Sequence, residues 1–395
     1  ENEIHRFAPA LPVRVLAGTA EERTEILKNG VPGEILVTSN ETMRRDQELY
    51  KGEDFYCEAV DEAQYIKKAG TKGARAVKSV SAQMKLALTG TPVENRLSEL
   101  WSIFDYLMPG FLYSYEHFKK NFEMPIMKKE NEDAMADLQK MIRPFILRRL
   151  KKEVLSDLPD KIEKCVTIPL EGEQKKLYDA HVQRLKFMLE NEEFANIRMQ
   201  VLAELTRLRQ LCCDPALIYQ DYQEGAAKME LCMELLNNAV NGGHKVLLFS
   251  QFTSMLGILE KRMEEAGIGY YSLTGSTPKK ERMELMEKFN RDATPVFCIS
   301  LKAGGTGLNL TGADVVIHYD PWWNVAAENQ ATDRAHRIGQ KRVVTVYKLV
   351  AEHTIEEKVV ELQQKKKELA DQVLSGEEMG SILFDREELL KLFQN

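Results

Sequence analysis

Apolar and polar positions follow two rhythms along this chain. The short runs EILVTS (34–39), YCEAVD (56–61) and KLALTG (85–90) read as buried parallel strands, each ending where polar residues begin. LSELWSIFDYLMPG (97–110) repeats its apolar residues every three or four positions, which predicts a helix closed by Pro-Gly. From about 114 to 225 the helical rhythm dominates, and only EKCVTIPL (163–170) offers a strand. Strands return as KVLLFS (245–250), GYYSLTG (269–275), PVFCIS (295–300), DVVIHYD (314–320) and VVTVYKLV (343–350), with helices at about 228–240, 253–266 and 278–290 between them. That alternation predicts a doubly wound α/β domain. The chain thus reads as an α/β piece, a helical middle and a fuller α/β domain, the last expected to fold by itself from about Lys228. TIEEKVVELQQKKKELADQVL (354–374) predicts an amphipathic, charged surface helix.

Composition changes this picture little. The 395 residues are 44% hydrophobic and 29% charged, as in a globular chain of two or three domains. No apolar run reaches the roughly 18 to 20 residues of a membrane span, and no signal peptide opens the chain, so no membrane partner is expected. The six cysteines (57, 165, 212, 213, 232, 298) lack paired zinc-site spacing and read as buried thiols in a reducing compartment. The formal net charge of −7 does not decide binding to a polyanion, which depends on local clusters of Lys and Arg.

In α/β sheets ligands sit beyond the carboxyl ends of strands, and four clusters lie there. Asp61 and Glu62 end the second strand, where an Asp can bind Mg²⁺ and a neighbouring Glu can polarise a water. LTGTPVENR (88–96) ends the third; it is a hydroxyl-bearing ligand loop or a plain strand-to-helix turn. SLKAGGTGLNL (300–310) offers three glycines, Lys302 and Thr306 in a loop whose N–H groups can face a phosphate. QATDRAHRIGQ (330–340) places Arg334 and Arg337 three apart on one helical face, either to reach one anion together or to pair with Asp333 or Glu328. No Gly in the chain is followed by Lys, so the usual phosphate-gripping loop is missing.

Together these strings resemble the Swi/Snf-type ATPases of helicase superfamily two, a family of DNA translocases. VDEAQYIK is similar to motif II, LALTGTPVENRLSELWSIFDYLMPG to motif III, KVLLFSQF to motif IV, SLKAGGTGLNLTGADVVIHYDPWWN to motif V and QATDRAHRIGQ to motif VI. ILVTSNETMRRD resembles motif Ib, EIHRFAPALPVRVLAG the region after motif Ia, and FILRRLKKEVLSDLPDK (145–161) the segment between the lobes. The sequence departs from the pattern at Asn40, where Tyr is usual, at Glu58, which interrupts an apolar strand, and at Val325, where Pro is common. Gln64 in place of His is a family variant.

The resemblance implies an α/β fold of two RecA-like lobes with helical protrusions. The first lobe would span 1–112 and be truncated at its N-terminus, protrusions and linker 113–227, the second lobe 228–353 and a helical extension 354–395. The phosphate-gripping loop is then expected upstream of Glu1, and the chain as given to be inactive without it. The implied activity is DNA-stimulated ATP hydrolysis driving movement along double-stranded DNA, with ATP and Mg²⁺ as cofactors. A non-catalytic nucleic-acid-binding module and a strand-separating helicase are the alternatives. By motif, Asp61 and Glu62 would hold Mg²⁺, with Glu62 activating water, and Arg334 and Arg337 would stabilise the γ-phosphate; Gln64, Gly307 and Gln330 would complete the nucleotide contacts. Sequence-independent DNA contacts would come from Ser39, Arg44, Gly90, Arg96, Gln251, Lys302, Gly305, Thr306 and Trp323. Trp322 and Trp323 either stack on the duplex or pack beneath motif VI, and Arg148, Arg149, Lys151 and Lys152 form a basic patch that braces the lobes or meets the backbone. The implied location is the cytoplasm in a prokaryote or the nucleus in a eukaryote.

Overall fold

The computed structural model describes residues 1–66, 70–90, 97–129, 131–149, 151–155, 157–191, 194–304 and 308–364. These divide into two units, 1–141 and 142–364.

The first unit holds four short strands, β1 (Val13–Val15), β2 (Ile35–Val37), β3 (Asp54–Val60) and β4 (Ser81–Ala87). β1 pairs with β2 and β3 with β4, both in parallel. The strands were expected to be buried, and they are not: Tyr56, Met84 and Leu86 are exposed. Each strand has one strand neighbour among the described residues, so only part of its surface is covered. What cover there is comes from Val60, Ile66, Val77, Ile103 and Tyr106, the last two from the helix Leu97–Leu107, whose apolar stripe packs inward as its periodicity predicts. Tyr106 fastens that helix to the sheet by donating its hydroxyl to the Glu58 carbonyl at 3.1 Å. Glu58, the interruption in β3, is itself buried and faces Lys85 across the strand pair at 3.4 Å.

In the second unit β5 (Lys161–Pro169), β6 (Val246–Ser250), β7 (Tyr270–Leu273), β8 (Val296–Ser300), β9 (Val315–His318) and β10 (Val344–Glu352) form one parallel sheet in the order β5-β10-β9-β6-β8-β7. Every residue of β6, β8 and β9 is buried, as their unbroken apolar runs require. The helices Ala227–Asn241, Thr253–Glu265 and Lys279–Arg291 fall where the sequence predicts them.

The helical middle does not stand apart. Its first part, to Met141, belongs to the first unit, and the remainder to the second. EKCVTIPL proves to be β5, an edge strand pairing along the whole of β10. The helices Gly172–Asn191 and Phe194–Cys213 pack Leu185, Leu205 and Leu208 against Ala351 and Ile355. The domain from Lys228 onward therefore shares its sheet and core with residues that precede it. The helix predicted over 354–374 is present at 355–364, and the rest lies outside the described residues. Of the six thiols expected to be buried, Cys57 and Cys165 are exposed, because both lie on strands with an open face.

Candidate functional site

In the first unit the loops after β2, β3 and β4 carry the singled-out residues. β3 ends at Val60, and the chain turns sharply at Glu62, whose φ of 51° is left-handed and unusual for a residue with a side chain. Three hydrogen bonds impose this turn. The Glu62 N–H donates to Asp61 Oδ1 at 2.8 Å, Tyr65 N–H to the Glu62 carbonyl at 2.9 Å and Ala63 N–H to the Leu88 carbonyl at 2.9 Å. Strain held in place this way is typical of a residue whose direction matters.

Asp61 is exposed, with one carboxyl oxygen taken by the Glu62 N–H. Among the described residues no group of three or more His, Cys, Asp or Glu could form a closed metal cage. An open pair suits Mg²⁺ instead, since that ion commonly takes one or two carboxylates and completes its shell with phosphates and waters. The last bond joins the acids to the end of β4, where Thr89 and Gly90 follow Leu88.

Ser39 caps the helix Asn40–Arg45, accepting from Thr42 N–H at 3.1 Å, and is exposed. Arg44 is exposed on that helix, 4.0 Å from Glu41. Both therefore sit at the carboxyl end of β2, open to solvent.

In the second unit strand order reverses around β6, which is flanked by β8 and β9, and the crevice beyond such a switch point is the usual ligand site. Gln251 follows β6, the segment with Lys302 follows β8 and Asp320-Pro321-Trp322-Trp323 follows β9. Asp320 draws two of these loops together, accepting from Ser250 Oγ at 2.6 Å and from the Gln251 N–H at 3.3 Å. It is buried, and that burial pushes its carboxyl above the usual range although nearby Arg209 opposes the shift.

Arg209 is the residue that sequence reasoning missed. It comes from the helix Phe194–Cys213 and donates from Nη2 to the Pro321 carbonyl at 2.7 Å. Its guanidinium lies 5.8 Å from the ring centres of Phe252 and Trp322 and 5.5 Å from that of Trp323. The only trace in the sequence is a basic residue set among Leu205, Leu208, Leu211 and Cys212, where apolar residues mark the buried face. Trp323 also packs on the core of the two long helices, and Trp322 on that of Phe249 and Val316, so both rings are partly buried. This supports the packing reading of the pair. The Trp322 backbone is fastened further: its N–H donates to Glu328 Oε2 at 3.3 Å, and Gln363 donates to its carbonyl.

The arginines of 330–340 require a correction. Helix Val325–Thr332 includes Gln330 but stops before Arg334, so Arg334 and Arg337 do not share a helical face. Beyond Thr332 the chain runs through tight turns. Ala335 N–H reaches the Thr332 carbonyl at 3.1 Å and Gln340 N–H the Arg337 carbonyl at 3.0 Å. Side chains impose this path, because Gln340 Nε2 donates to the carbonyls of Ala313 at 2.7 Å and Ala335 at 3.1 Å, and His336 Nε2 bonds to the Pro159 carbonyl at 2.8 Å. Asp333 and Glu328, the acids considered as partners of the arginines, are held by Lys151 at 2.7 Å and Lys348 at 2.8 Å. Arg337 is half-buried and donates to the Leu308 carbonyl at 3.1 Å, beside the motif V segment. Lys151 of the basic patch thus braces the motif VI turns within its own unit.

Arg96, Gly305, Thr306 and Gly307 lie outside the described residues, as do the side chains of Gln64, Lys152 and Lys302.

Two family models cover the chain: the SNF2-related domain over residues 1–217 and the helicase conserved C-terminal domain over 227–339. An uncharacterized ATP-dependent helicase of Mycoplasma pneumoniae is 39% identical over 399 residues, which cover 100% of this chain and 38% of that protein. The TATA-binding protein-associated factor MOT1 of Saccharomyces cerevisiae is 36% identical over 455 residues, covering 100% and 24%. The chain therefore spans less than half the length of these relatives. The SWI2/SNF2 ATPase core domain of Sulfolobus solfataricus is similar in structure, with a TM-score of 0.51 and 35% identity over 99% of this chain and 80% of that one. Parallel sheets with helices on their faces are common to both, and the two units are RecA-like lobes.

Proposed function

The chain belongs to the SNF2-related family, and from that premise we propose that it acts in an ATP-driven motor that moves along double-stranded DNA without reading its sequence. The observation that carries this reading is the pair Asp61, exposed, and Glu62, half-buried, at the carboxyl end of β3 and fixed by a strained turn to the end of β4. The ATP-dependent helicase among the relatives supports the same chemistry.

Mg²⁺, when bound, neutralises charge on the transferred phosphate and its leaving group. Asp61 has the accessible carboxylate to hold it. Glu62, directed by its left-handed backbone, orients or deprotonates the attacking water. Arg334 and Arg337 stabilise charge on the γ-phosphate, a role in which an arginine is worth about 10³ to 10⁵ in rate. Gln64, Gly307 and Gln330 are proposed nucleotide contacts on motif grounds alone.

DNA contacts fall to Ser39, Arg44, Gly90 and Arg96 in the first unit and Gln251, Lys302, Gly305 and Thr306 in the second, with Trp323 shaping the loop beside them. Ser39, Gly90 and Gln251 immediately follow or lie close to strand ends, and hydroxyl, amide and backbone donors of this kind recognise phosphates. Titration of the 395-residue chain with short duplexes of unrelated sequence tests the proposal. The expected result is equal affinity for each, with log affinity falling linearly in log salt. Binding to one sequence alone, or binding unaffected by salt, overturns it.

A further inference from the structure

We infer that Arg209 is a positioning residue, whose guanidinium sets the loops after β6 and β9 in the form that meets DNA. The inference deepens the DNA reading above and rests on it.

Geometry makes the case. Arg209 is buried in the helix Phe194–Cys213, 112 positions from the Pro321 carbonyl to which it donates at 2.7 Å. One flat cation touches both loops at once. Phe252 belongs to the β6 loop and lies 5.8 Å away, while Trp322 and Trp323 belong to the β9 loop and lie 5.8 and 5.5 Å away. Asp320, which ties the loops together through Ser250 and Gln251, lies 3.9 Å from Arg209 Nη2. A guanidinium suits this position because it stacks on rings with its faces while its edge donates, which an ammonium cannot do.

Plain structural bracing would be expected to satisfy the groups it buries, and this cluster does not. Arg209 Nε, Asp320 Oδ2 and Gln251 Nε2 are buried atoms with no hydrogen-bond partner among the described residues. Buried polar atoms left in this condition carry a cost, and they are rare enough that three converging beyond the carboxyl ends of β6 and β9 point to function. Beyond those ends lies the crevice where β6 is flanked by β8 and β9. Arg209 thus connects the long helices to the place where ligands of such folds bind.

Amide hydrogen exchange and duplex binding on the 395-residue chain test this with two substitutions. Arg209→Met keeps comparable bulk but removes charge and donors; Arg209→Lys keeps charge without the planar fork. In Arg209→Met the amides of 251–253 and 320–324 should exchange about tenfold faster while β6, β8 and β9 stay unchanged, and duplex affinity at fixed salt should fall about tenfold. Arg209→Lys should fall between the two, and it decides the matter if the Met variant does not fold. Overturning results are Met behaving like Arg, which would reduce the side chain to filler, or faster exchange throughout the second unit, which would make it a general determinant of folding. If the wild-type chain binds no duplex yet Arg209→Met loosens both loops, the positioning stands and the DNA reading is what fails.

Discussion

Lys228 Nζ lies 2.6 Å from Glu356 Oε1 with both side chains fully buried, tying the helix Ala227–Asn241 to the helix that follows β10. The pair has further anchors, since Lys228 also donates to the Tyr319 carbonyl at 3.0 Å and Glu356 accepts the Ala351 N–H at 2.8 Å. Burial alone would lower the Lys228 pKa, yet Glu356 beside it holds the ammonium charged above its ordinary range. Removing one partner strands a buried charge. Lys228→Met should therefore cost about 3 to 5 kcal/mol in urea unfolding. Adding Glu356→Leu should recover part of that loss, because the backbone groups of Tyr319 and Ala351 remain unpartnered.

His318 makes the stability of the second unit depend on pH. Burial is the main cause that takes its pKa down from 6.5 to about 4, and the ring stays neutral against Thr332 Oγ1 at 2.9 Å and stacked on Phe249. A depressed folded-state pKa means that the unfolded chain binds the proton more readily. Its contribution is thus complete above about pH 6.5 and lost as pH falls towards 4, in total about 3 kcal/mol. Urea midpoints measured across that window should fall more steeply for the wild type than for His318→Gln. Parallel curves would show that His318 has no such role.

Fragments of the second unit should differ according to where they begin. One that starts near Lys228 lacks β5, which pairs along all of β10, and lacks Arg209 and Tyr178, whose hydroxyl accepts the Ile355 N–H at 2.7 Å. It should expose β10 as an open edge and associate, whereas a fragment from Ile142 should be monomeric. Sedimentation of the two fragments checks this, and a monomeric, cooperatively unfolding Lys228 fragment would contradict it.

That difference marks what periodicity could and could not show. The runs from 245 to 350 were legible because strands buried on both faces are unbroken apolar stretches, as β6, β8 and β9 are. β5 was ambiguous because it is an edge strand with exposed Lys161 and Lys164, so its composition carries little strand signal. The place of Asp61 and Glu62 at a strand end could be read from sequence because a strand end and an acidic pair are both local features. The turns around Arg334 could not, since they are imposed by Gln340 and His336 bonding to carbonyls at Ala313 and Pro159, far from them in sequence. Arg209 was hidden for the same reason: the carbonyl to which it donates lies 112 positions away.

In the proposed reaction Glu62 acts on water in a DNA-stimulated hydrolysis. The direct test is phosphate release by the intact protein, with and without duplex, comparing wild type with Glu62→Gln. A carboxylate that serves as general base contributes about 10² to 10⁴ in rate, so the duplex-stimulated rate should disappear in Glu62→Gln while nucleotide binding persists. A wild-type rate indifferent to duplex, or a Glu62→Gln protein that hydrolyses ATP as the wild type does, would contradict it.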